Sequence, residues 1–159
     1  MYVRLRIALA AALATSLLTL GAATADPGAK LIDANLAGIP AGAAAVFPGV
    51  IGGGAPWVIT KGDAKLFADG RLQVQVQGLV LDPTLPIGAA GTNPFPTGRA
   101  IVSCSNGATV VVTDLVPYSA DGNAQVNTRI ELPSPCLGAL VFFAGQTGGG
   151  PFWFAVSGG

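Results

Sequence analysis

The chain has 159 residues, eight Lys+Arg against eight Asp+Glu, no histidine and only 10% charged residues. That length buries a real core as one domain without metals or many disulfides. With no basic stripe to neutralise phosphates, the chain is not built to hold nucleic acid.

Residues 1–25 have the pattern of a secretory signal peptide. Arg4 and Arg6 precede the apolar runs Ile7–Ala14 and Leu17–Leu20, and Ala23-Thr24-Ala25 sets small residues ahead of Asp26. Cleavage there leaves six basic residues against eight acidic ones, formally −2. The expected location is secreted, periplasmic or at the cell surface. Leu36 to Pro56 is also long and uncharged, but Pro40, Pro48 and Gly52-Gly53-Gly54 interrupt it. Those breaks would strand backbone groups in lipid, so no stable membrane span is expected in the mature chain.

Residues 26–55 form an Ala/Gly-rich lead-in with scattered apolar anchors such as Leu31, Ile32, Leu36, Val46, Phe47 and Ile51. Their spacing follows neither a period of 2 nor one of 3.6 over the whole stretch, so a mostly irregular segment is expected, with one strand near Val46 to Ile51. From residue 56 to 159 the pattern predicts a β domain. Trp57 to Thr60, Ala64 to Ala68 and Arg71 to Asp82 read as strands, the last two joined by a tight turn at Asp69-Gly70. Leu72, Val74 and Val76 alternate with Gln73, Gln75 and Gln77, the signature of one buried and one wet face. Beyond Gly78 the alternation gives way to Leu79-Val80-Leu81, which implies burial on both faces or a bulge near the glycine.

Asp82 to Gly98 carries four prolines and three glycines and is expected to be a long loop. Strands resume at Arg99 to Ser103, Thr109 to Thr113, Ala124 to Leu132, Leu140 to Ala144 and Phe152 to Val156. The fold class is therefore all-β, a β-sandwich of about seven to eight short strands, with a small β-barrel as the alternative.

Cys104 and Cys136 are the only cysteines, and in an exported chain they are expected to form one disulfide. Two thiols without histidine cannot complete an ordinary zinc shell, so neither metal nor cofactor is expected. Without histidine, the serines lack their usual general base, and none sits in a Gly-x-Ser-x-Gly elbow. Asp33, Asp63, Asp69, Asp82, Asp114, Asp121 and Glu131 leave a carboxylate-based hydrolase as one alternative function. Turn formation by Asp69 and Asp121, each before a glycine, and solvation of Glu131 on a wet strand face account for several of them more simply.

Leu140 to Ala144 and Phe152 to Val156 are apolar on both faces. One face belongs to the core. The other, with Val141, Phe143 and Trp153, must be covered by the lead-in, by a ligand or by a partner. Coverage by residues 31 to 51 is the expectation; otherwise these three residues are the candidate binding site. Association through this sheet face, self-association included, is a further alternative.

Trp57-x-Ile59-x-x-Gly62, Asp69-Gly70-Arg71-Leu72-x-Val74-x-Val76-x-Gly78-Leu79, Cys104, Leu132-Pro133-x-Pro135-Cys136 and Trp153-Phe154-Ala155-x-Ser157-Gly158 together resemble small exported bacterial β-domain proteins of unassigned function. The resemblance spans roughly residues 56 to 159. It implies a compact β domain and brings no catalytic residues with it. The function expected from the sequence is that of an exported, non-catalytic binding or surface-structural domain.

Overall fold

The computed structural model of the protein describes residue 26, residues 28–41 and residues 46–158. The expected signal peptide lies outside the described residues. Thirteen strands and no helix are present among the described residues: β1 (Lys30–Gly38), β2 (Val46–Phe47), β3 (Val50–Ile51), β4 (Trp57–Val58), β5 (Lys61–Phe67), β6 (Arg71–Gln77) and β7 (Val80–Leu81) in the first half. The second half supplies β8 (Thr97–Cys104), β9 (Thr109–Val112), β10 (Val116–Pro117), β11 (Ala124–Arg129), β12 (Leu140–Thr147) and β13 (Gly150–Ser157). Eight of these have four or more residues, and the other five are two-residue pieces.

Nine strands make one antiparallel sheet in the order β10-β8-β12-β13-β1-β5-β6-β11, with β9 paired to β8. The sheet curls into a half-barrel. Its two ends, β10 and β11, are consecutive in the chain and joined by a turn in which Gly122 N–H donates to Ser119 O at 2.9 Å and Ser119 N–H to Asn123 O at 3.0 Å. Two arms, β10-β8-β12-β13 and β5-β6-β11, are continuous through β1, and the expected all-β class holds. The first part of β1 pairs with β5 (Asp33↔Lys65, Asn35↔Asp63), and its last three residues pair with β13 (Leu36↔Ser157, Gly38↔Ala155).

This corrects the expectation of a mostly irregular lead-in. Ile32, Ala34 and Leu36 alternate with the exposed Asp33 and Asn35, a period of 2 that lasts only five residues before Ala37-Gly38 blur it. The expected strand near Val46 to Ile51 is the β2–β3 hairpin.

Local chemistry explains the rest. In β6, Leu72, Val74 and Val76 are buried and their glutamine neighbours exposed, as the alternation predicts. The strand expected over Arg71 to Asp82 breaks at Gly78, whose φ is 62° and whose N–H donates to Asn123 Oδ1 at 3.2 Å. The turn between β5 and β6 has three residues instead of two. Gly70 N–H donates to Phe67 O at 2.9 Å and Gly70 sits at φ 84°, the left-handed position that closes a three-residue hairpin. A Cβ there would stand 2.0 Å from Ile130 O, so no other residue fits.

The core runs between the arms, with Leu66, Leu72, Val74, Leu79, Ile101, Val102, Phe142, Phe143 and Phe154 essentially inaccessible. Burial of this apolar surface is the main force holding the arms together. Cys104 and Cys136 are disulfide-bonded, which ties the end of β8 to the segment entering β12.

Candidate functional site

Val141, Phe143 and Trp153 are all buried, at 0%, 0% and 3% exposure, and they do not share one face. The β12–β13 register shifts between Phe143 and Ala144, so that Ala144 pairs with Trp153 but Phe143 with Ala155. This bulge turns Trp153 to the side of Phe142, with ring centroids 5.4 Å apart. The lead-in covers that side. Phe47 meets Phe142 and Trp153 edge-on at 5.2 and 5.4 Å, and Gly53 N–H donates to Trp153 O at 3.0 Å. Phe143 lies on the opposite side against Tyr118, at 5.1 Å.

Asp33, Asp63, Asp69 and Asp82 each have a partner of their own. Asp33 is held below the usual carboxylate range, first by the hydrogen bond from Lys30. Asp69 loses some hydration, which raises its pKa, but hydrogen bonds from Arg71 backbone and side chain together with the charge of Arg129 bring it below the ordinary value. Asp82 is lowered by the hydroxyl and N–H of Thr84, both donated to Oδ1. No group of three or more metal-ligating side chains occurs among the described residues. A lowered carboxyl stays ionised near neutrality, the opposite of what a general acid requires.

The feature with the most distinct shape lies where the lead-in, the 82–96 loop and β13 meet. Here a hollow of about 330 Å³ is lined by Ala55, Trp57, Ile87, Phe95, Phe152 and Phe154, with Gly53, Leu81 and Pro94 completing it. Apart from the indole N–H of Trp57, none of these side chains carries a polar group. Trp57 stacks on Phe154 with centroids 3.9 Å apart and planes at 15°, and Phe95 stacks on the same ring at 5.2 Å and 24°.

Each ring is positioned from a different direction. Trp57 N–H donates to Ile39 O at 2.8 Å, and β4 pairs Trp57 with Leu81. Phe95 is held by the buried Asn93, whose Oδ1 accepts from Phe95 N–H at 2.9 Å and whose Nδ2 donates to Phe95 O at 2.6 Å and Ser119 O at 3.0 Å. Phe154 can lie flat because Gly145 leaves room beneath it: a Cβ there would stand 2.4 Å from the ring.

Pockets of this size and lining are typical of small-ligand sites, though this one lies at the small end of the range. Ile87, 49% exposed, stands at its mouth. The sequence shows each aromatic ring separately but not that residues 57, 95 and 154 converge. The only local hint is the long Pro/Gly-rich loop, since such loops carry binding groups more often than strands do. No protein family, curated protein or solved structure matches the chain, so the site is read from its geometry alone.

Proposed function

We propose that this chain is an exported, non-catalytic binding domain that takes a small apolar molecule into the hollow beside Trp57, Phe95 and Phe154. The observation that carries the reading is the aromatic wall, three stacked rings at the edge of an open hollow with an apolar lining. Such a wall desolvates and orients an apolar guest but supplies neither proton nor nucleophile, which favours binding over bond-making. The signal-like residues 1–25 support export, and the Cys104–Cys136 disulfide is of the kind that persists in oxidising compartments. No helix among the described residues is long and apolar enough to cross a membrane.

The test is titration with the neutral apolar dye N-phenyl-1-naphthylamine, whose emission rises on leaving water. Saturable enhancement is expected, and Ile87→Asp at the exposed mouth should weaken it by about tenfold through the cost of bringing a charge against apolar surface. Unsaturable enhancement, or equal binding by Ile87→Asp, would defeat the proposal.

A further inference from the structure

One end of the sheet is β11; at the other, β10 and β9 lie one after the other along the same side of β8. These edges are finished differently. β11 carries the exposed Arg129, and β10 ends in the exposed Pro117. A charge and a proline are among the usual means of keeping an edge strand from pairing. β9 (Thr109-Val110-Val111-Val112) has neither. It is β-branched throughout, it pairs only with β8 among the described residues, and Val112 is 42% exposed.

The ladder to β8 fixes which backbone groups of β9 are free. Thr113 N–H donates to Ala100 O at 3.0 Å, so in the same register Val111 and Thr109 exchange hydrogen bonds with Val102 and Cys104. Val110 and Val112 are out of phase with them. Their N–H and C=O groups turn away from β8, to a side where no strand lies among the described residues. On either side the backbone is already engaged: Ala108 N–H donates to Ser105 O at 3.3 Å, and Asp114 O accepts from Thr113 Oγ1 at 3.1 Å. The free edge is therefore the N–H and C=O of two valines, centred on Val111.

Such an edge takes an extended backbone, and the chain's own β9 matches it symmetrically. A second copy, antiparallel about a twofold axis through Val111, sets Val110 opposite the copy's Val112 and Val112 opposite its Val110. Each pair exchanges two hydrogen bonds, which uses every free group on both strands. An axis through Val110 or Val112 would instead set a free valine against Ala108 or Asp114, whose groups are engaged. In the central register Asp114 falls opposite Ala108, so like charges do not meet, and valine packs on valine across the strands. We infer that β9 is a self-association edge, through which two copies of this chain join their sheets. The interface is small, so the dimer is weak and depends on concentration.

Sedimentation equilibrium of the disulfide-bonded chain from about 10 µM to about 1 mM tests this. The mean mass should rise from monomer towards dimer and stop there. Val112→Lys should raise the concentration of half-dimerisation about tenfold or more, as an edge lysine does. Val112→Pro should do the same, because it removes an outward N–H and no bond to β8. Melting temperatures equal to the parent's show that both variants fold. Should either melt early, oxidative cross-linking decides. Val111→Cys sets two thiols across a non-hydrogen-bonded pair, roughly 4.5 Å between Cα atoms, and should give a covalent dimer. Peptide mapping should find Cys104–Cys136 intact in that dimer, and Val112→Cys should stay monomeric under the same conditions. Ile87→Asp should dimerise like the parent, which separates this edge from the aromatic hollow. A monomer at every concentration, growth beyond the dimer, dimerisation unmoved in folded Val112→Lys and Val112→Pro, or equal cross-linking of both cysteine variants would overturn the inference.

Discussion

Asn93→Ala removes the group that fastens the 82–96 loop to the barrel. Its side chain makes three well-formed hydrogen bonds, to Phe95 O at 2.6 Å, to Ser119 O at 3.0 Å and from Phe95 N–H at 2.9 Å, with a longer contact to Tyr118 O at 3.4 Å. Each such bond contributes about 1 kcal/mol net. Asn93 is only 6% exposed, so water does not readily replace them. The expected loss is about 3 kcal/mol, or roughly 10 °C in melting temperature for a domain of this size. Urea unfolding with the disulfide intact measures it as a lower midpoint at unchanged slope. Because Phe95 would lose its fixed position, dye binding in the aromatic hollow should weaken in the same variant.

Asn93→Asp sharpens the test. It keeps an acceptor for Phe95 N–H but turns a carboxylate towards the carbonyls of Phe95 and Ser119, which raises its folded pKa above the unfolded value. The stability it retains is then fully present below the unfolded pKa and lost as pH rises through the folded one. An Asn93→Ala variant within about 0.5 kcal/mol of the parent would refute the clamp, since that is the range of an ordinary surface substitution.

Two further outcomes are expected. Cys104→Ala/Cys136→Ala should lower stability by about 3 to 4 kcal/mol on the chain-entropy account for a separation of 32 residues, measured by denaturant midpoint against the oxidised parent. Asp69 has a lowered folded pKa, so its contribution is present above the unfolded carboxylate value near 3.9 and lost as pH falls through the folded value; a pH series of melting temperatures should show Asp69→Asn with a shallower acid decline than the parent.

Much of the fold is legible in the sequence wherever one face of a strand is wet. In β6 the Leu72/Gln73/Val74/Gln75/Val76 alternation identifies the strand and both its faces, and Gly78 marks where it breaks. Legibility fails where both faces are covered or the backbone shifts. β1 changes partners midway from β5 to β13, so its buried face is spelled partly in alanine and glycine and the periodic signal fades. The bulge that parts Trp153 from Phe143 has no marker in Leu140–Ala144 or Phe152–Val156, because both strands are apolar throughout and either register looks equally good. The aromatic hollow is hidden for a different reason. Trp57, Phe95 and Phe154 are brought together by tertiary contacts alone, and each has an adequate local explanation as a core residue.

The double pairing of β1 also governs the order of events in making this molecule. Its closing partner, β13, is the last strand of the described chain, so Leu36 cannot meet Ser157 until nearly everything between them has been made. Contacts so remote in sequence form slowly, because a long loop must be closed before they return any stability. For the exported domain proposed above, that delay keeps the half-barrel from locking before β13 is available to pair with β1.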